Sequence, residues 1–114
     1  MNLIRTLILF FAMTWLAPLA YAGSQVVQVP TQKVCMITNM VFPSPQIPVK
    51  IGTKTYYGCC ENCQHTLNND PKSREAIDPV SGKKVDKALA VIGADANGKV
   101  YYFQSLENLK KFKN

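Results

Sequence analysis

A chain of 114 residues has room for one domain or two very small ones, and it excludes most catalytic folds, which need more chain to enclose a pocket. Its 13 Lys and Arg against 7 Asp and Glu give a net charge of +6, which would fit a nucleic-acid partner if the charge were gathered in one place. Four Cys in so short a chain demand an explanation by disulfides, metal or redox chemistry.

Residues 1–22 have the three zones of a secretory signal peptide. Arg5 and the amino terminus are positive, residues 7–16 are apolar, Pro18 breaks the helix, and Ala20-Tyr21-Ala22 offers small residues for cleavage before Gly23. An uncleaved anchor is the rival reading, but the apolar run falls short of the ~20 residues that span a bilayer. No Cys follows the small residues, so a lipid anchor is not expected. The expected location is the periplasm or the exterior, with membrane contact only through the leader before cleavage. An exported chain does not meet chromosomal DNA. Its cations are also spread, from Lys50 and Lys54 through Lys72, Arg74, Lys83, Lys84, Lys87 and Lys99 to the Lys110-Lys111-Lys113 tail, as on a solvated surface.

Residues 23–33 are polar and β-branched around Pro30 and read as an extended arm or edge strand. After Val34-Cys35-Met36-Ile37 comes a Pro-rich connector at 43–48. Residues 49–51 then form a strand, residues 52–54 turn at Gly52, and residues 55–57 return, making a β-hairpin. Gly58 ends it, and residues 59–67 read as a short helix carrying Cys59, Cys60 and Cys63. Asp70-Pro71 is a helix start, predicted to run through Ile77. Residues 78–82 turn, 88–92 form an apolar strand, Asp95-Ala96-Asn97-Gly98 is a hairpin turn, and 99–103 return. Ser105 caps a last helix, 106–112, with its lysines at the C-terminal end where the helix dipole favours them.

The two halves match when aligned. Residues 56–67 lie over 101–112, and Val34-Cys35 over Val80-Ser81, so each half is loop, β-hairpin and short helix. The predicted fold is a small α+β protein: two treble-clef-like hairpin–helix units, 34–77 and 78–114, packed as a pseudo-repeat. Either unit alone is too small to hold a core, so the two are expected to pack together.

Here the sequence resembles the TRASH and YHS domains. The first half keeps Cys35, Cys59 and Cys63 in the C-x23-C-x3-C order of the TRASH signature. The second keeps the framework, Asp78-Pro79-Val80, Gly82, Tyr101-Tyr102-Phe103, Ser105 and Phe112, but has Ser81, Gln104 and Asn108 at the cysteine positions. The first half departs from the family at Met36, where a Gly is usual, and at Gly58, where a Phe is usual. The resemblance spans nearly all of 34–112 and implies binding, sensing or trafficking of Zn, Cu or Hg. A metal transporter or another metal-handling protein is the implied partner, and no enzymatic activity is implied.

The thiols themselves support that chemistry without naming it uniquely. A soft metal needs three or four thiolate or imidazole ligands converging within a few ångströms. Cys59 and Cys63 share a face if the helix has begun by Cys59, and Cys35 can approach from the preceding loop. Three thiolates suit Cu(I) or Hg(II), and Zn(II) with one ligand more. Cys60, aligned over Ser105 at a capping position, is the spare thiol and the candidate fourth ligand. His65 stands two residues after Cys63, toward the opposite side of a helix, and is expected to be exposed. Met36 and Met40 offer thioethers to Cu(I), although a core role accounts for them as well. Two alternatives stay open. The cysteines could pair as Cys35–Cys59 with Cys60–Cys63, or as Cys35–Cys60 with Cys59–Cys63, which an oxidising compartment allows. Cys60 and Cys63 could also form a C-x-x-C redox pair, although the βαβ setting and neighbouring Trp of a thioredoxin site are missing.

Overall fold

The computed structural model describes residues 25–113, so the predicted leader lies outside the described residues. The described elements begin with β1 (Val27–Gln28), a 3₁₀ turn (Thr31–Lys33), β2 (Val34–Cys35) and β3 (Met40–Val41). A longer hairpin, β4 (Ile47–Ile51) and β5 (Lys54–Gly58), leads into α1 (Glu61–Asn69). A second 3₁₀ turn (Pro71–Arg74), β6 (Glu75–Ile77) and β7 (Lys84–Asp86) come next, then the hairpin β8 (Val91–Ala94) and β9 (Val100–Phe103), and α2 (Leu106–Lys111). This is a small α+β protein. Every strand pairing is antiparallel, in the sheets β2-β3, β4-β5, β6-β7 and β1-β8-β9.

Both long hairpins turn where glycine allows it. Gly52 and Gly98 have φ of 62° and 83°, a region that costs most other residues strain. At the second turn the Asp95 carboxylate accepts the N–H groups of Asn97 and Lys99. The arm supplies the expected edge strand, and β1 joins the second hairpin through Val27 opposite Ala94. Pro48 lies within β4, which a two-stranded sheet tolerates because an edge strand can lack a donor.

Three expected elements differ. The helix from Asp70 to Ile77 is a 3₁₀ turn followed by a strand. Asp70 does cap it, accepting from Lys72 N–H, but Ala76 and Ile77 then extend to pair with Val85 and Lys84. That pairing also creates β7 in a charged stretch with no strand pattern of its own. The apolar segment 88–92 starts as a turn, because the Asp86 carboxylate captures the N–H of Ala88, and becomes a strand only at Val91. Finally, α1 begins at Glu61, with Cys60 as its N-cap, so Cys59 precedes the helix.

One core draws on both halves. Val34, Met36, Val49, Tyr56 and Leu67 pack with Ile92, Ala94, Val100 and Tyr102. Each large apolar side chain so buried contributes about 1.5–3 kcal/mol. A smaller cluster of Val26, Phe103 and Leu109 lies under α2, closed by Phe112, whose ring centroid is 4.9 Å from Tyr101 and 5.5 Å from Phe103. Backbone bonds stitch the halves where β3 meets the second hairpin, from Val41 N–H to the Gly98 carbonyl and from Val100 N–H to the Asn39 carbonyl. The turn after Cys35 is thus fixed by the second half of the chain.

Candidate metal centre

Cys35 ends β2 and is fully buried. Its carbonyl accepts the N–H of Asn39, closing a tight turn in which Asn39 adopts a φ of 56°, a conformation asparagine tolerates better than most residues. Met36 N–H donates to the Tyr57 carbonyl, which ties this turn to β5. Just beyond β5, Cys59 and Cys60 lie exposed, and Cys63 is buried on the first turn of α1. The two ends of the site therefore meet because β2 rests on the strand that delivers the helix.

The three predicted ligands come together. Sγ of Cys63 lies 3.8 Å from Sγ of Cys35 and 3.6 Å from Sγ of Cys59, and all three sulfurs fall within 4.8 Å of one another. Sulfurs bound about 2.3 Å from a shared tetrahedral zinc stand about 3.8 Å apart. Cys60 touches only the edge of this set, with its Sγ 3.4 Å from that of Cys63. His65 is exposed on α1 and meets Asn69 at 3.1 Å, away from the sulfurs. Met36 is fully buried in the shared core, and Met40 pairs with Cys35 in β3 while leaning over Gly98.

Charge is unevenly shared among the thiols. Burial pushes the Cys35 thiol up, but the Thr38 hydroxyl and the N–H groups of Thr38 and Ile37 outweigh it and bring the group down to about 7. Cys60 is drawn down by the N–H of Cys63 and then by its thiol. Cys63 is pushed up to about 12 by burial and by the thiols of Cys60 and Cys59. Cys59 is raised, chiefly by Cys35. One thiolate forms readily at Cys35, and Cys59 and Cys63 then keep their protons until a cation replaces them.

Gly58 makes the close packing possible. A Cβ there would stand 2.8 Å from Cys63 Cβ and 3.3 Å from its carbonyl carbon, too near for either to stay in place. Gly58→Ala should cost about 1–3 kcal/mol by overpacking and displace Cys63 from the other sulfurs. Thermal denaturation together with a metal-competition titration checks this, and unchanged affinity would show that the contact does not set the site.

In the second half a different arrangement surrounds the residues that align in sequence with the cysteines. Asp78 is fully buried, and its carboxylate accepts from Val80 N–H, Ser81 N–H, Gln104 N–H and the Asn108 side-chain amide, at 2.7–3.2 Å. Ser81, Gln104 and Asn108 are the residues aligned with the three cysteines. Ser105 caps α2 through a bond from Asn108 N–H, as Cys60 sits at the cap of α1. Sequence reasoning gave Gly58 only the end of a hairpin and Asp78 only a turn and a place in the family framework, and it gave Thr38 no role. The signal for Asp78 was the Asp78-Pro79-Val80 framework, three residues before the aligned position Ser81.

No protein-family model, curated protein or solved structure matches the chain.

Proposed function

We propose that this protein binds a soft, thiophilic metal ion through Cys35, Cys59 and Cys63, as an exported metal-trafficking, resistance or sensing protein rather than an enzyme. The observation that carries this is the convergence of three sulfurs, 3.6 and 3.8 Å on either side of Cys63, at a spacing suited to a shared ion. The donor set is all sulfur, which suits Cu(I), Zn(II) or Hg(II) and disfavours the hard cations that prefer oxygen. Zn(II) and Cu(I) are the foremost candidates. Two sulfurs come from buried residues and one from an exposed residue, so the site is anchored on one side and open to ligand exchange on the other. That asymmetry fits a protein that passes its cargo to a transporter or another metal-handling protein.

The resemblance to TRASH and YHS domains supports the same reading, and so does the pseudo-repeat. In this reading the first unit keeps its thiols, and the second has exchanged them for residues that donate to Asp78. The leader would place the protein outside the cytoplasm. Oxidising conditions also keep the disulfide reading in view, since Cys63 lies within 4 Å of each of the other sulfurs.

The test is a count of free thiols in protein recovered from the periplasm, followed by non-denaturing mass spectrometry. The expected result is one metal ion per chain with the thiols protected from alkylation until a chelator is added. Four oxidised cysteines with no metal uptake after reduction would overturn the proposal.

A further inference from the structure

Lys87 is the least expected residue near the site. It follows β7 in the second half, yet it is 6% exposed and its ammonium points back toward the Cys35 turn. Nζ donates to the Met36 carbonyl at 2.6 Å and to the Asn39 side-chain oxygen at 3.4 Å, and it lies 5.2 Å from the centre of the Tyr102 ring. The Tyr102 hydroxyl donates to the same Asn39 oxygen. Lys87 stands outside both the Lys54–Asp86 and the Lys84–Glu75 pairs, and its ammonium meets no carboxylate among the described residues. A buried ammonium is costly unless an anion compensates it.

Its contacts lead to the site itself. The Lys87 partners, Met36 and Asn39, are the first and last residues of the turn after Cys35. Burial lowers the Lys87 ammonium pKa, and the charge on Cys35 works against that shift. Three thiolates around a monovalent ion carry a net charge of −2, and around a divalent ion −1. Either complex leaves an anion partly enclosed by protein, where opposite charge is felt more strongly than in water.

We propose that Lys87 is the built-in counter-ion of the metal-thiolate centre and tilts its selectivity toward monovalent soft ions, which leave the more negative complex. The inference rests on the metal-binding reading above. Lys87 acts through space and through the turn it holds, so it is a positioning and specificity residue rather than a ligand. Because it comes from the second half, it also gives the half without cysteines a part in the site.

The experiment measures Cu(I) and Zn(II) affinities by chelator competition for the wild type, Lys87→Met and Lys87→Arg. Thermal midpoints of the metal-free, reduced proteins are measured alongside. Lys87→Met should weaken Cu(I) binding on the order of tenfold and Zn(II) binding by clearly less, because it removes one charge from beside the more negative complex. Lys87→Arg should keep most of the Cu(I) affinity. The metal-free midpoint of Lys87→Met should fall by a few degrees, since the Met36 carbonyl loses its buried donor, and affinities are compared at a temperature where every variant is folded. Equal losses for both metals, or a Cu(I) affinity within about twofold of wild type, would overturn the counter-ion role while leaving the metal site standing. A wild type that takes up neither metal would instead remove the reading on which this inference rests.

Discussion

Cys63→Ser is expected to remove the proposed metal binding altogether, whereas Cys60→Ser should only weaken it. The difference follows from position. Cys63 is the central sulfur, 3.8 Å from Cys35 and 3.6 Å from Cys59, so its loss takes away the sulfur that stands within 4 Å of both the others and cuts the set to two. Cys60 meets Cys63 and Cys59 but lies outside the mutually close trio, is exposed, and aligns in sequence with the serine that caps α2. Serine at position 60 would supply the same cap, and with it a better acceptor than a thiol. Chelator competition on the two variants checks the contrast, and equal loss from both would show that Cys60 is a ligand of the same rank as Cys63. Binding in the wild type should also strengthen as pH rises. Cys63 is pushed up to about 12 and Cys59 is raised, so both hold protons at neutral pH, and an arriving ion must displace about two protons. Affinity therefore falls as pH falls, and a pH-independent affinity would mean that protonated thiols are not what the metal displaces.

The cluster of three cysteines was legible because cysteine spacing is a property of the chain. Cys59 and Cys63 lie four apart, and their meeting survives even though Cys59 precedes the helix: the extended N-cap at Cys60, with φ of −157° and ψ of 173°, leaves the preceding sulfur beside the first turn. Turns at Gly52 and Gly98 and the Ser105 cap were legible for a similar reason, since each depends on a backbone conformation or a local bond that only certain residues supply.

What stayed hidden depends on partners far along the chain. Nothing local makes 84–86 a strand. It becomes one by pairing with 75–77, and the same pairing prevents the helix that Asp70-Pro71 initiates from continuing. Asp86 reads as an ordinary surface acid until the hairpin brings it to Lys54 at 2.6 Å and the Tyr56 hydroxyl at 2.8 Å. Lys87 was one lysine among many in the charge count, and its burial appears only when the two halves share a core.

Asp78→Ala carries the largest expected effect on stability. The carboxylate gathers donors from its own turn, at Val80 and Ser81, and from the start of α2, at Gln104 and Asn108. It is the pin between loop and helix in the second half, where the proposed metal would do the same for the first. Water can reach some of the abandoned donors, because Val80, Ser81 and Gln104 are surface residues. The loss should still be about 3 kcal/mol, and in a domain of this size it lowers the thermal midpoint by roughly 12–24 °C. Asp78→Asn should cost nearly as much, because its amide hydrogens would face N–H groups where the native oxygens accept. The pH dependence has a definite sign. Burial works to raise the Asp78 carboxyl, but its donors outweigh burial and hold it below the usual range. The pin therefore contributes fully above about pH 4, where the unfolded carboxyl is ionised, and its contribution is lost as pH falls through the native value. Asp78→Ala should lack that part of the acid sensitivity, so wild type and variant converge in stability toward low pH. A midpoint within a few degrees of wild type at neutral pH would mean that the helix–loop junction is held by apolar packing alone.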